Sequence, residues 1–326
     1  MTQTALAAMM AFALSALSVL PAVAQSTAAS RIWVSGKGVD AAGCGPVGSP
    51  CRSLQFAIDN LANNGEIDIL DSAGYGSLNI LKGVTIVNAG GATAGVQATA
   101  GVAINISTIG QPVYIEGLDI NGQNQNALTG IEVNAVGSLS IVDCRVRQFR
   151  NFGIHLIPQF GFAKIVISNV NVSDNGNGIS WIPASGNASV SGVIDRVVAS
   201  NNGNAGIDIE YPNIPPGSGV AIPSENFLVS HSIVANNLFS GILAVGTNQT
   251  GTEVDVDDSE MMGSVEGLQG VGGVTIYVSR SIMSQNAEGI DNETVSPGGI
   301  FSYGDNLVQG NGTQTTGTPI FAAGPS

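Results

Sequence analysis

The sequence predicts an all-β chain, a solenoid of stacked strands, and three observations predict it. A Gly-Ile step, once Gly-Leu, recurs at Gly130-Ile131, Gly153-Ile154, Gly178-Ile179, Gly206-Ile207, Gly241-Ile242, Gly267-Leu268 and Gly289-Ile290, 22 to 35 residues apart. Self-similarity at that period marks a repeat architecture in which each unit stacks on its neighbours. About ten residues before most of these steps stands a small or polar residue (Asp143, Asn169, Asp195, His231, Asp257, Ser279). An apolar residue follows, as at Val146, Val172, Val198, Val234 and Met283, and then an Asn-rich punctuation at Asn151, Asn175, Asn201 and Asn202, Asn236 and Asn237, and Asn286. Within the units no apolar spacing of helical period occurs, and no stretch has room for a crossover helix. Each unit therefore reads as strand, Asn-bearing turn, strand.

Residues 1–24 carry no charged side chain and are dominated by Ala, Leu, Met and Val, ending in the small-residue site Ala22-Val23-Ala24. They read as a secretory leader whose positive end is the α-amino group, the alternative being an uncleaved anchor, for which the apolar run is short. Residues 25–65 form an N-terminal segment. Arg31 to Ser35 reads as a strand, and Cys44 and Cys51 close a short loop that an oxidising compartment would oxidise to a disulfide. Ser49-Pro50 offers a helix start, with Leu54, Ala57, Ile58 and Leu61 on one apolar face and an end near Asn63-Asn64-Gly65. Such a helix would cover the open core of the first coil. Residues 66–326 then read as strands.

Several of these segments resemble a known family. Pro50-Cys51-Arg52-Ser53-Leu54, Gly65-Glu66-Ile67, Gly74-Tyr75-Gly76 and Ile80-Leu81-Lys82-Gly83-Val84-Thr85-Ile86 look like the opening of right-handed parallel β-helix proteins of the pectin-lyase-like superfamily. Tyr303-Gly304-Asp305-Asn306 with Asn311-Gly312 is similar to the way such domains end. The resemblance spans roughly residues 30–315 and implies three parallel sheets wound into a right-handed parallel β-helix. It implies no single activity, since lyases, hydrolases, epimerases and adhesins share that architecture. Polygalacturonase-like members add Asn-Thr-Asp, Gly-His-Gly and Arg-Ile-Lys to an Asp-Asp; none of the three occurs here, so Asp257-Asp258 inherits no role from them.

The formal charge of −14 argues against nucleic acid and anionic membrane surfaces as partners. No segment after the leader is apolar enough for a membrane span. Charged residues are only 10% of the chain while 44 are Gly, which suits tight turns and leaves few groups for catalysis. Cys144 lies inside a strand run and reads as a small buried residue.

Parallel coils supply a ruler for sites. Residues in one register lie ~4.8 Å apart from coil to coil, and with each Ile pointing in, the next residue points out. The outward column is then Glu132, His155, Ser180, Asp208, Leu243, Gln269 and Asp291. His155, Ser180 and Asp208 on successive coils cannot form a catalytic triad, because Ser would separate His from Asp by ~9–10 Å. Asp208 and Glu210 flank Ile209 with Cα atoms ~6.7 Å apart on one face, compatible with the ~6.5–9.5 Å carboxylate spacing of an inverting glycosidase. Tyr211, Trp181 and the excursions 183–188 and 212–223 lie beside them and could wall a groove, with the aromatics stacking on sugars; a solvated strand edge is the alternative. Glu253, Asp255 and Asp257 alternate on one face with Asp258 adjacent, an oxygen-only set suited to Ca²⁺, which Arg280 in the register of Asp258 would partly neutralise. Arg145, Arg147 and Arg150, with Lys164 and with His155 on the outward column, offer contacts to an anionic glycan, the cation that lyase chemistry needs, or simply a solvated face.

The resulting expectation is an exported protein that binds polysaccharide or a cell-surface component without chemistry and requires no cofactor. The alternative is a polysaccharide lyase, hydrolase or epimerase using outer-face carboxylates. Intact mass of the secreted protein tests the leader: the mature chain is expected to begin at Gln25 with no free thiol at Cys44 or Cys51, and retention of residues 1–24 contradicts it.

Overall fold

The computed structural model describes residues 28–123, 126–184, 188–211, 224–247 and 251–324. The expected leader lies outside these residues. The chain winds through three parallel sheets in strict rotation. One coil, for example, runs through strands Ser138–Val142, Arg145–Arg147 and Phe152–Leu156 before Gly161–Ser168 begins the next. Among the described residues sheet 1 has 12 strands, from Ala29–Val34 to Phe321–Ala322, and sheets 2 and 3 have 10 each, ending at Leu307–Val308 and Thr313–Gly317. The fold is a parallel β-helix.

The recurring Ile residues form one interior column, as the period requires. Ile131, Ile154, Ile179, Ile207, Ile242, Leu268 and Ile290 pair in unbroken register in sheet 3 and are all buried. The Gly before each has a steric cause. A Cβ on Gly178 would lie 2.3 Å from the carbonyl oxygen of Gly206 on the next coil, and one on Gly241 would lie 2.5 Å from that of Gly267. Side chains there would force the coils apart and break the ladder.

Along much of the solenoid two corners of the coil are closed by ladders of mostly buried polar side chains. At the corner entering sheet 3, Asn175, Asn202, Asn237, Ser264, Asn286 and Asn311 stack, each backbone N–H donating to the side-chain oxygen of the next member. At the corner entering sheet 2 the ladder is Ser232, Ser259, Ser281 and Asn306. Cys144 occupies the same place three coils before Ser232: its Sγ accepts from the Leu118 N–H (3.4 Å) and donates to the Val142 carbonyl (3.2 Å). The thiol is thus a ladder group as well as a buried apolar one. The residue preceding each rung of these ladders is left-handed, except Asp305 before Asn306. Along the sheet 2 corner, including the coils that carry Val170 and Val197 in place of a rung, the left-handed residues are Asp143, Asn169, Arg196, His231, Asp258 and Arg280. Asp195, Asp257 and Ser279, expected in that column, end sheet 1 strands one residue earlier and pair with Ser168 or Ser230 and with one another.

Among the described residues there is one helix, Leu54–Asn60 (α1), with Leu54, Ala57 and Ile58 buried in the core. It starts later than Ser49-Pro50 suggested. Cys51 is drawn into a bridge with Val34, donating its N–H to Trp33 O, and is bonded to Cys44. That keeps the backbone extended until Ser53, which caps α1 by accepting from the Phe56 N–H. Leu61 already belongs to strand Leu61–Ile69, so α1 also ends sooner.

Asn202 accepts from the Asn175 N–H and side-chain amide and donates to Val172 O and Asn237 Oδ1. Asn202→Ala leaves several buried groups unpaired and is expected to lower unfolding free energy by roughly 2–3 kcal/mol in denaturant titration. Asn204→Ala, at an exposed position, is expected to change it by less than ~0.5 kcal/mol.

Candidate functional site

The outward column of sheet 3 is arranged as its alternation foretold, with Glu132, His155, Ser180, Asp208, Leu243, Gln269 and Asp291 paired coil to coil. Ser180 lies between His155 and Asp208 and donates to Asp208 Oδ2 (3.2 Å). The His155 ring stacks on Phe152 at 3.8 Å, and burial lowers its pKa to about 4, so it is neutral at physiological pH. Asp208 is 2% exposed, and among the described residues its Oδ1 has no hydrogen-bond partner. Burial, and then the charge of Glu210 on the same strand face, push its pKa up to about 7, against the opposing pull of the Ser180 hydrogen bond. Glu210 itself is half-buried. A carboxyl that keeps its proton near neutrality beside a second carboxyl is a chemical arrangement for proton donation.

Trp181 and Tyr211 do not flank that pair on the surface. Both point inward, being 1% and 5% exposed, because they share the parity of Ile179, Ile207 and Ile209 along their strands. The expected sugar-stacking walls are therefore core residues. Trp181 packs edge-on against Phe227 and donates its Nε1–H to Glu225 Oε1 (2.8 Å). Glu225, which sequence reasoning missed, is fully enclosed; Thr252 Oγ1 donates to its Oε2 (2.7 Å). Burial raises its pKa to about 7 against those two hydrogen bonds. Burial and the nearby Glu225 likewise push the Tyr211 hydroxyl, which has no hydrogen-bond partner among the described residues, up to about 12. The signal was the alternation Glu225, Phe227, Val229, which puts the carboxyl on the inward side.

Asp255, Asp257 and Asp258 do not converge. Asp257 accepts from Ser279 Oγ (2.6 Å) and pairs with Arg280, while Asp258 faces His231 Nε2 at 3.6 Å. Arg280 thus reaches one residue back from its own register partner. Asp255 has its pKa raised by burial and by Glu253 and Asp257. Among the described residues no group of three or more His, Cys, Asp or Glu side chains could hold a metal ion. Arg145 and Arg147 do face outward together, but Arg147 is tied to Asp119 through both carboxylate oxygens (2.8 and 3.0 Å). Arg145 and Lys164 are exposed.

No family model and no curated protein sequence matches the chain. The crystal structure of pectate lyase Pel9A is similar, with a TM-score of 0.60 and 14% identity over 89% of this chain and 80% of that one. The A-module of Azotobacter vinelandii mannuronan C-5 epimerase AlgE4 aligns at a TM-score of 0.42 and 13% identity, over 80% of this chain and 91% of that one. The first of these likenesses shows the fold alone, the expected parallel β-helix.

The raised carboxyls set the pH dependence of stability. Glu225 and Asp208 hold protons in the folded state that they release at lower pH when unfolded, so stability falls as pH rises through the window from about 4 to about 7. Asp71 acts oppositely: the Gly36 N–H and the Tyr75 and Ser35 hydroxyls lower its pKa, so its contribution is lost only in stronger acid. The melting temperature is expected to be higher at pH 5 than at pH 8. Glu225→Gln should remove much of that slope, of which Glu225 supplies roughly 3 kcal/mol; a slope unchanged in this variant refutes the assignment.

Proposed function

We propose that this chain is an exported protein that binds polysaccharide along the outer face of sheet 3. The observation that supports this reading most is a row of hydrogen-bonding side chains at the spacing of the coils. Asn79, Asn105, Glu132 and His155 follow one another in register. Asn105 donates to Asn79 Oδ1, and Asn134 donates to Asn105 Oδ1 (2.9 Å). The interior is filled by apolar columns and closed ladders, so a polar chain must be met outside. The ~4.8 Å repeat is close to the advance of one pyranose residue in an extended chain. The disulfide Cys44–Cys51 and a fold shared with a pectate lyase support an extracellular, polysaccharide-related role. In the described residues no helix is long and apolar enough to cross a membrane.

A second reading is favoured by the protonated carboxyl at Asp208: acid–base chemistry on the polysaccharide, with Asp208 as proton donor and Glu210 as base. The two readings separate in one experiment. Wild type and the Glu132→Ala/His155→Ala variant are compared by affinity electrophoresis on a set of neutral and acidic polysaccharides, with product detection. The expected outcome is retention on at least one polysaccharide, weakened about tenfold in the variant at unchanged melting temperature. Product formation that Asp208→Asn abolishes would establish the enzymatic reading. No retention on any polysaccharide would end both.

A further inference from the structure

The outer face of sheet 1 carries charges that its own chain does not answer. On four successive coils one outward row is Lys164, Ser191, Asn226 and Glu253. Two residues further along each strand the next row is Val166, Val193, Leu228 and Asp255. Phe162 and Val166, on the strand of Lys164, are 51% and 38% exposed. Among the described residues the side chains of Lys164, Glu253 and Asp255 have no hydrogen-bond or ion-pair partner. Their neighbour Asp257 is answered, by Ser279 and Arg280. Burial, and then the charges of Glu253 and Asp257, raise the pKa of Asp255. The free cation and the free carboxylates stand three coils apart, about 14 Å, too far for one lysine to bridge.

We propose that a second copy of this chain packs face to face on sheet 1 with its coil order reversed. A two-fold axis along the strands, midway between those of Val193 and Leu228, keeps each residue's place along its strand and inverts the sequence of coils. Lys164 then stands opposite Glu253 of the second copy, and Glu253 opposite its Lys164. Asp255 lies beside the same incoming lysine. Val193 meets Leu228, and Ser191 meets Asn226. Further out on the central row the same rotation brings Tyr114 level with Phe301, each two coils beyond Val166 and Asp255. Two sheets pack ~10 Å apart, a gap that lysine and glutamate side chains span together.

Charge selects this register over its neighbours. Moving the axis half a coil either way sets Lys164 opposite Asn226 or Thr275 and leaves Glu253 without a cation. The formal charge of −14 on each copy opposes association in general, so a slipped arrangement gains nothing against that repulsion. The eight coils from Tyr114 to Phe301, at about five residues per strand, present roughly 650 Å² per copy, about 1,300 Å² in all, within the range of specific interfaces. The outer face of sheet 3 stays open on both copies, so this pairing stands or falls independently of polysaccharide binding there.

Sedimentation equilibrium of the exported chain, from about 1 to about 200 μM, tests the proposal. Wild type is expected to be a dimer with a micromolar dissociation constant. Lys164→Glu and Glu253→Lys each set like charges opposite one another twice, and each is expected to weaken the dimer about tenfold or more. The double variant Lys164→Glu/Glu253→Lys restores opposite charges and should return the constant to within about threefold of wild type. All three variants should keep the wild-type melting temperature at concentrations where the chain is monomeric, since both positions are exposed. A wild type that stays monomeric throughout leaves this face to some other partner and overturns the proposal. A dimer indifferent to the single reversals, or one that the double variant fails to restore, overturns it as well.

Discussion

Everything in this molecule depends on one coil lying flat on the last at the spacing of a parallel ladder. Three sheets must meet that spacing together, so a misfit at one corner would propagate to the other two sides. The tightest expression is the glycine before each interior Ile, where successive backbones leave no volume for a Cβ. The buried Asn and Ser ladders answer the second demand of the same constraint. Corners must turn without leaving backbone N–H groups unpaired in the interior, and along the ladders a side-chain oxygen from the next coil meets them.

The interior column and the outward row beside it were legible residue by residue, because register in a parallel stack reduces to counting from Gly-Ile. The corners were legible only to within one position. At Asp195-Arg196, Asp257-Asp258 and Ser279-Arg280 two polar residues adjoin, and polarity alone does not say which takes the left-handed conformation. Asp is more at home there than Arg, yet the strand register assigns the corner to Arg196 and Arg280.

The candidate site was less legible, and for a different reason. Trp181 and Tyr211 were associated with the excursions that follow them, although their parity with Ile179 and Ile209 already turned them inward. Glu225 was missed because a charged residue reads as surface. Its enclosure depends on an indole from one coil and a hydroxyl from another, partners that no local window of sequence contains. The ion pair of Arg280 with Asp257 instead of Asp258 reflects the reach of a long side chain, which backbone register does not determine.

The corner ladders bear on how such a chain changes length in evolution. Ser264 stands between Asn237 and Asn286 and Cys144 stands where later coils carry Ser, so each corner accepts more than one side chain without loss of its acceptor. From Ser232 onward a coil presents the same donors above as it receives below. Duplication or deletion of one whole coil therefore joins matching surfaces and creates no orphaned corner, whereas loss of a few residues within a coil would put all three sheets out of step. Lineages of this protein should differ by complete turns, and an outward row built from one side chain per turn would lengthen or shorten with them.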